Sequence, residues 1–283
     1  MVLIDGKKVS AEVRVCLAKE VKELKEKTGR VPGLATVLVG DDPASAVYVR
    51  NKNKICRELG FKSFEQKLSL DTSEAKLLKL IKELNSNNDI HGILVQLPLP
   101  NQIDSEKILQ AIDPNKDVDG FHPINVGKLV VGNALLTPCT PSGIIKLLDH
   151  YEIDISGKHA VVLGRSNIVG KPLSMLLLQR NATITICHSR TKNLDEITRS
   201  ADILVAAIGR ANFVTENMVS EGTIVIDVGI NRVDGKLTGD INFEPVSKKA
   251  SYITPVPGGV GPMTIALLME NTLKAFKKSI DIN

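Results

Sequence analysis

Short apolar runs alternate with amphipathic helical patterns along the whole chain of 283 residues. Such runs, when turn residues bound them, are typical of strands buried on both faces, and helices between them form βαβ units. The alternation therefore predicts an α/β fold with mainly parallel sheets. The runs are Leu34–Val39, Gly92–Leu97, Ala160–Leu163, Thr183–Cys187, Ile203–Ala207 and Thr223–Val228.

Four amphipathic patterns predict helices around these runs. In the first, Ser10 is the predicted N-cap and Gly29 the predicted end, because a hydroxyl satisfies free amides and glycine adopts the left-handed conformation that ends a helix. The last two patterns are expected to bridge two domains and to return the chain to the first of them. The predicted helices are about Ser10–Thr28, Ser45 to Gly60, Ser142–Tyr151 and Met263–Lys278.

Length and charge bound the class of protein. A chain of 283 residues fits two domains of moderate size. The 36 basic residues are offset by 32 acidic ones, which leaves a net charge of +4. With no Trp and 3% aromatic residues, stacking on nucleic-acid bases is not expected. The small positive excess instead favours an anionic small molecule or cofactor.

The cysteines, histidines and N-terminal residues give no signal for secretion, a metal centre or a membrane. Cys16, Cys56, Cys139 and Cys187 form no C-x-x-C pair, as expected of reduced thiols in the cytoplasm. The five histidines are scattered without metal-ligand spacing. The N-terminus is charged, and no stretch approaches the roughly 20 apolar residues that a membrane span needs.

The segment from Ala160 to Gly170 predicts a strand, a turn and a helix, where a doubly wound sheet holds a phosphate. Gly164 permits a sharp exit from the strand, and Gly170 lets the helix pack closely on it. The pattern is not G-x-G-x-x-G, so it is a weaker indication than the full glycine motif. Two further strand ends carry glycines that either admit a flat cofactor or form simple tight turns, in Ala207–Gly209 and Asp227–Asn231.

Cations near the strand ends favour NADP over NAD. Arg165 lies in the phosphate turn, and the next strand is followed by His188, Ser189 and Arg190. A carboxylate, usual in an NAD site, would repel a 2′-phosphate, whereas arginine offers two parallel donors. Either arginine alone could be a solvated surface cation. Because they follow successive strands, we interpret these residues as a cofactor site.

Tyr48 and Lys52 lie four residues apart on the second predicted helix and so share one face. The predicted core face of that helix runs through Val47, Ile55 and Leu59 instead. A tyrosine beside a lysine can form a proton-transfer pair or a stacking platform with a base. On spacing alone, such a pair is more often surface packing.

Polar side chains also follow the apolar run that contains Gln96. A buried strand should not end in an amide unless that amide is paired, and active sites lie at strand carboxyl ends in open α/β sheets. Asp117 and Asp119 flank Val118 in the next loop. Either carboxylate could bind a metal, cap a helix or accept the N–H groups of a ligand. Two carboxylates without a third ligand make a weak metal site.

Seven segments, in order and across essentially the whole chain, resemble the bifunctional methylenetetrahydrofolate dehydrogenase/methenyltetrahydrofolate cyclohydrolase family of one-carbon metabolism. The ordered set is far more specific than any one motif. The segments are Tyr48-x-x-x-Lys52, Val95–Pro100, Pro114–Gly120, Pro138–Pro141, Gly164–Pro172, Cys187–Thr191 and Thr254–Thr264.

The resemblance implies two reactions in one cleft and a homodimer. Hydride passes from 5,10-methylenetetrahydrofolate to NADP⁺, and water then opens the methenyl product to 10-formyltetrahydrofolate. By resemblance, Lys52 is the key catalytic residue, Gln96 tunes it, Tyr48 stacks on the folate and Asp119 holds the pterin ring. The other implied contacts are Pro257 and Gly258 with folate, and Gly164, Arg165, Ser166, Ser189 and Ile230 with NADP.

The sequence thus predicts an N-terminal α/β catalytic domain and a C-terminal Rossmann-like NADP-binding domain. The expected division is 1–139 plus the C-terminal helix 266–283 for the folate domain, and 140–265 for the cofactor domain. Two other interpretations stay open at this point. A shikimate-type NADP dehydrogenase gives no role to Gln96 or to the glycine-rich turn near Gly258, and a non-enzymatic NADP sensor would tolerate replacement of Lys52.

Overall fold

The computed structural model describes residues 1–282 and has the predicted α/β architecture with parallel sheets. Its strands and helices, in chain order, are β1 (Val2–Leu3), α1 (Gly6–Thr28), β2 (Gly33–Val39), α2 (Pro43–Glu58), β3 (Lys62–Leu68), α3 (Glu74–Ser86), β4 (Gly92–Val95), α4 (Ser105–Ala111), α5 (Pro123–Val130), α6 (Cys139–His150), β5 (His159–Leu163), α7 (Gly170–Gln179), β6 (Thr183–Cys187), α8 (Leu194–Arg199), β7 (Ile203–Ala206), β8 (Ile224–Asp227), β9 (Asn231–Val233), β10 (Lys236–Thr238), α9 (Phe243–Ser247), β11 (Tyr252–Ile253) and α10 (Val260–Ser279).

The chain forms two compact units, each made of two stretches of sequence. The folate unit, as we name it from the prediction, comprises Val13–Thr137 and the chain from Leu268 onwards. The cofactor unit comprises Met1–Glu12 and Pro138–Leu267. The expected division placed residues 1–12 with the folate domain. They fall in the cofactor unit because β1 pairs in parallel with β11, Val2 opposite Tyr252.

The folate unit is built on a three-stranded parallel sheet in the order β3-β2-β4. The central strand β2 is buried along its whole length, as its continuous apolar sequence predicts. The edge strand β3 was not predicted, because its residues Lys62–Leu68 alternate between exposed and half-buried and several are charged. This is the pattern of a strand with one solvated side.

Helix α2 presents a face to the core that differs in part from the predicted one, because Leu59 is buried as predicted but Ile55 is only half-buried. Asp42 caps it by accepting from the Ser45 N–H at 2.7 Å, and the helix begins at Pro43, two residues before the predicted start. Val47, expected in the core, is 49% exposed. The buried face instead runs through Ser45, Val49, Asn53 and Cys56.

The start of helix α1 also differs from the prediction. Asp5, and not Ser10, is the cap, since its carboxylate accepts from the Lys8 N–H at 3.0 Å. Ser10 lies inside the helix and donates to the carbonyl of Lys7 at 3.0 Å. The predicted end is confirmed, because Gly29 has a φ of +67° and its N–H reaches the Lys25 carbonyl at 2.9 Å.

The cofactor unit contains a six-stranded parallel sheet in the order β1-β11-β8-β7-β5-β6. Strand β5 lies between β6 and β7. The chain therefore forms β6 on one side of β5 and then crosses to form β7 on the other side. This reversal of strand order is the switch point at which open parallel sheets bind ligands. The predicted β6 range Thr183–Cys187 is confirmed, and the other predicted strands shift by one or two residues at their ends.

The last helices begin earlier than predicted. Helix α6 starts at Cys139 instead of Ser142, and α10 starts at Val260 instead of Met263. No helix within residues 1–282 is both long and apolar enough to cross a membrane.

Candidate functional site

Lys52 and Gln96 are hydrogen-bonded to each other in the folate unit. The Lys52 ammonium group donates to Oε1 of Gln96 at 3.0 Å, and both side chains are half-buried. Nε2 of Gln96 donates to the Leu97 carbonyl at 2.7 Å, which fixes the amide so that its oxygen faces the lysine. The expectation that the amide is paired is confirmed.

The two candidate carboxylates of the following loop have different roles. Asp117 is buried and accepts from the N–H groups of Phe121 and His122 at 3.2 and 2.8 Å, and from Nδ2 of Asn125 at 2.9 Å. It therefore ties the loop to the start of α5. The Asp119 carboxylate makes no hydrogen bond or ion pair within residues 1–282. Of the pair, only Asp119 is free to hold a ligand.

The electrostatic surroundings of Asp119 suit a carboxylate that receives a ligand. Burial raises the pKa of Asp119 to about 6, the nearby Lys52 cation lowers it, and the Asp117 carboxylate raises it. The carboxylate is thus ionised at neutral pH without a protein donor. Ligand N–H groups would supply the missing hydrogen bonds. Within residues 1–282, no group of three His, Cys, Asp or Glu side chains could hold a metal ion.

Tyr48 lies one turn before Lys52 on α2 and is 37% exposed. Its ring is therefore open to a partner on the face of α2 that carries Lys52. The predicted shared face is confirmed by the helix, whereas the stacking role stays a prediction.

The phosphate turn of the cofactor unit has the close approaches that its glycines were predicted to permit. A Cβ on Gly164 would lie 2.3 Å from the Ala207 carbonyl oxygen, and its φ is +114°. A Cβ on Gly170 would lie 2.1 Å from the Gly164 carbonyl oxygen. Ser166 accepts from the N–H groups of Val169 and Gly170 at 3.1 and 3.3 Å. Only glycine fits at residues 164 and 170.

The two predicted cofactor arginines lie on neighbouring strand ends. Leu163 of β5 pairs with Cys187 of β6, and Arg165 and Arg190 follow two and three residues later. Both are exposed, and neither guanidinium forms an ion pair within residues 1–282. His188 holds the turn, since its Nδ1 accepts from the Arg190 N–H at 3.1 Å. Ser189 is exposed at the same tip.

The remaining predicted contacts lie on two other loops of the cofactor unit. Ile230 follows β8 and is 48% exposed. Pro257 is exposed, and Gly258, with a φ of +114°, accepts from the Lys7 N–H at 3.1 Å through its carbonyl. The first turn of α1 therefore fixes the loop, because a Cβ on Gly6 would lie 1.7 Å from the Gly259 carbonyl oxygen.

Two family models divide the chain between them. The catalytic-domain model of tetrahydrofolate dehydrogenase/cyclohydrolase matches residues 4–119, and the NAD(P)-binding-domain model of the same family matches residues 138–280. The chain belongs to the tetrahydrofolate dehydrogenase/cyclohydrolase family. The resemblance inferred from the seven sequence segments is confirmed.

Individual members of the tetrahydrofolate dehydrogenase/cyclohydrolase family match over nearly the full length. The bifunctional protein FolD of Streptococcus mutans is 56% identical over 279 residues, 98% of each chain. The crystal structure of the bifunctional FolD enzyme of Campylobacter jejuni has a TM-score of 0.96 at 52% identity and covers 98% of this chain and 99% of that one. The Trypanosoma brucei FolD, complexed with NADP and an inhibitor, has a TM-score of 0.95 at 40% identity, covering 99% and 98%.

The shikimate-type alternative shares only its fold with this member of the tetrahydrofolate dehydrogenase/cyclohydrolase family. A shikimate dehydrogenase from Peptoclostridium difficile is 14% identical with a TM-score of 0.51, covering 88% of this chain and 92% of that one.

Sequence reasoning missed the buried polar residues that support these sites. Thr36 and Asn53 bond to each other under α2, and Asp227 and Asp240 bond to backbone groups in the cofactor unit. Asp240 could have been noticed as an acid between Gly239 and the apolar Ile241. Asn53 carried no such signal, because its partner lies 17 residues away.

Proposed function

We propose that this chain oxidises 5,10-methylenetetrahydrofolate to the 5,10-methenyl form with NADP⁺ and hydrolyses that product to 10-formyltetrahydrofolate. The relatives named bifunctional FolD and the NADP-bound Trypanosoma brucei enzyme support both activities and the cofactor. The observation that carries the proposal is the 3.0 Å bond from Lys52 to Gln96, in the same unit as the unpaired carboxylate of Asp119.

In the hydrolytic step, Lys52 acts on the attacking water. The methenyl carbon is already electron-poor, so the difficulty lies in removing a proton from water as it adds. An amine accepts that proton only in its neutral form. Gln96 holds the amine in position for this step, because its Oε1 accepts one amine hydrogen while its Nε2 is committed to Leu97. The nitrogen lone pair is then left for the water.

Asp119 and Tyr48 are proposed to orient the folate. The pterin edge presents an amino group and a ring N–H, and an ionised carboxylate accepts both. Asp119 has its two oxygens free for this pair. Tyr48 is proposed to stack on the folate through its exposed ring, and Pro257 and Gly258 to line the folate pocket.

The strand-end loops of the cofactor unit are proposed to hold NADP. NADP⁺ held there would supply the acceptor for the hydride that leaves the methylene carbon. Arg165 and Arg190 supply unpaired cations for a 2′-phosphate. Ser166 directly follows Arg165, and His188 and Ser189 directly precede Arg190. Gly164 lets the phosphate turn pass close to the Ala207 carbonyl, and Ile230 offers an exposed apolar surface. The residues present therefore fit this cofactor.

The test is turnover of 5,10-methylenetetrahydrofolate with NADP⁺ and, separately, with NAD⁺. We expect reduced cofactor with NADP⁺ and no build-up of the methenyl product. Lys52→Met should slow hydrolysis of the methenyl substrate by at least about 100-fold, the usual loss on removing a general base. Lys54→Met is the matched control, since Lys54 lies on the same helix with its side chain 69% exposed.

Three outcomes would contradict the proposal. Cofactor binding without turnover would favour the NADP sensor. Turnover of shikimate but of no folate substrate would favour the shikimate-type enzyme. Full hydrolysis in Lys52→Met would remove Lys52 from its proposed role.

We also propose a cytoplasmic homodimer that does not bind nucleic acid. The four cysteines are free thiols, which fits a reducing compartment. Sedimentation of the purified protein, alone and with DNA or RNA, tests the dimer and the expected lack of nucleic-acid binding.

A further inference from the structure

A fully buried carboxylate holds two loops at the carboxyl edge of the six-stranded sheet. Oδ2 of Asp240 accepts from the N–H groups of Ile208 and Gly209 at 2.7 and 3.0 Å, and Oδ1 accepts from that of Arg210 at 2.8 Å. The same Oδ1 accepts from Nδ2 of Asn231 at 2.9 Å. Asp240 therefore joins the loop after β7 to the loop after β8.

A second buried carboxylate locks Asp240 itself in place. Asp227 accepts from the N–H groups of Gly229, Asp240 and Ile241 at 2.9, 2.9 and 3.0 Å. Each acid lies against the glycine that is close in sequence to the other acid: Asp240 against Gly229, and Asp227 against Gly239. A Cβ on Gly229 would lie 2.3 Å from Oδ1 of Asp240, and one on Gly239 would lie 1.9 Å from Oδ2 of Asp227. Neither loop can shift without breaking this arrangement.

The loops that Asp240 joins adjoin the proposed cofactor contacts. The loop after β7 begins at Ala207, whose carbonyl oxygen is the close neighbour of Gly164 in the phosphate turn. The loop after β8 contains Ile230, between Gly229 and Asn231. Gly209 is exposed, with a φ of +65°, so little besides these hydrogen bonds restrains it.

We propose that Asp240 is a positioning residue for the cofactor, which sets the spacing of the loops after β7 and β8 so that NADP binds between Gly164 and Ile230. This inference rests on the proposed function. A carboxylate is required because it can accept all four hydrogen bonds and donates none. An asparagine would keep one acceptor oxygen and turn an NH₂ group against backbone N–H donors.

The two activities provide the test, because hydrolysis of 5,10-methenyltetrahydrofolate can be assayed without cofactor. In Asp240→Asn we expect the KM for NADP⁺ to rise roughly tenfold or more, because one or two hydrogen bonds to a charged group are lost. Hydrolysis should stay within about twofold of wild type, since none of the residues whose N–H groups bond to the Asp240 carboxylate is a proposed folate contact. A general loss of structure would lower both activities together.

Two further variants provide a control and an independent test of the Asp240 contacts. Asp234→Asn is the matched control, because Asp234 is exposed in the β9–β10 turn at a φ of 49°, which asparagine tolerates. Asn231→Ala removes only the side-chain bond to Asp240 and should raise the KM for NADP⁺ about threefold. It decides the question if Asp240→Asn fails to fold.

The inference is overturned if folded Asp240→Asn binds NADP⁺ as wild type does, or if Asn231→Ala leaves the KM unchanged while Asp240→Asn loses both activities equally. A wild-type protein that hydrolyses the methenyl substrate but never turns over with NADP⁺ would instead overturn the proposed dehydrogenase, before any variant is made.

Discussion

Thr36 on β2 donates a 2.8 Å hydrogen bond to the side-chain oxygen of Asn53 on α2, the residue that directly follows Lys52. Both side chains are almost completely buried, and Nδ2 of Asn53 has no partner within residues 1–282. The next residue of β2, Val37, accepts the backbone N–H of Gln96 at 2.9 Å. One strand therefore sets the positions of both Lys52 and Gln96.

Replacing Thr36 with valine should impair hydrolysis as well as stability. The change keeps the side-chain shape but leaves the buried Asn53 amide with no partner, which costs about 1–3 kcal/mol in the free energy of unfolding. We expect hydrolysis to fall roughly three- to tenfold, because small displacements of a catalytic group are costly. The double variant Thr36→Val/Asn53→Leu should recover most of both, as measured by urea unfolding and methenyl hydrolysis. A double variant worse than the sum of the single changes would contradict the positioning role.

Gln96→Glu should reduce hydrolysis more than Gln96→Met does. A carboxylate 3.0 Å from the Lys52 nitrogen would favour the protonated amine, which cannot accept a proton from water. We expect a loss of roughly 100-fold, the scale of general-base catalysis, with the deficit shrinking as pH rises. The pH profile of methenyl hydrolysis in both variants checks this. A glutamate variant as active as wild type at neutral pH would exclude the neutral-amine mechanism.

Folate binding should weaken in mildly acidic solution because Asp119 becomes protonated. Burial raises its pKa to about 6, so the ionised form that accepts two N–H groups is lost below that pH. The KM for 5,10-methylenetetrahydrofolate should rise about tenfold for each pH unit below 6. Asp119→Asn should show a high KM that varies little across the same range. A wild-type KM that is flat from pH 7 to 5 would argue against a carboxylate–pterin contact.

Substituting the strand-end arginines should change the preference for the cofactor. Arg165→Gln and Arg190→Gln each remove an exposed cation that lacks an ion-pair partner within residues 1–282. If they bind a 2′-phosphate, the KM for NADP⁺ should rise roughly 10- to 100-fold per arginine while that for NAD⁺ changes little. Arg232→Gln, an exposed change on the β9–β10 hairpin, is the control. Equal effects on both cofactors would place the arginines outside the 2′-phosphate site.

His91 should make the protein sensitive to acid. Its Nδ1 accepts from the Gly33 N–H at 3.0 Å, and burial, followed by the Arg30 and Lys116 cations, lowers its pKa from 6.5 to about 4. Since the unfolded chain binds the proton first, stability is lost as pH falls from 6.5 towards 4.

The size of this effect follows from a comparison with His91→Asn, in which the contributions of other titrating groups cancel. Between pH 7.5 and 5, wild type should lose about 2 kcal/mol of unfolding free energy relative to the variant. Urea unfolding at the two pH values measures the difference. A constant difference would mean that His91 is not held neutral in the folded state.

The features that could be predicted from the sequence were those set by neighbouring residues. The β6 strand was bounded correctly because its apolar run is short and ends in a turn, and Gly29 marked the end of α1. Contacts between residues far apart in the chain could not be predicted from the sequence in this way. The β1–β11 contact joins Val2 to Tyr252, and it moves the first residues of the chain into the other unit.

The candidate site shows the same division between local and distant information. Tyr48 and Lys52 share a face because helix geometry requires it. By contrast, only the tertiary structure shows that the two carboxylates differ in role. Asp117 ties its own loop to α5, whereas Asp119 is unpaired. In the sequence, Asp117 and Asp119 simply flank Val118, and nothing local shows which of the two carboxylates is free for a ligand.

The interleaving of the two units limits how this protein can change by recombination. The chain passes from one unit to the other after Glu12, Thr137 and Leu267. A gene fragment that encodes the chain from residue 138 onwards would lack β1, and one that ends at residue 137 would lack Asn271, which bonds to the carbonyls of Val118 and Thr137. Neither unit can therefore be exchanged as a single cassette. A change of cofactor in this lineage is expected to arise by point substitutions near Arg165 and not by shuffling of domains.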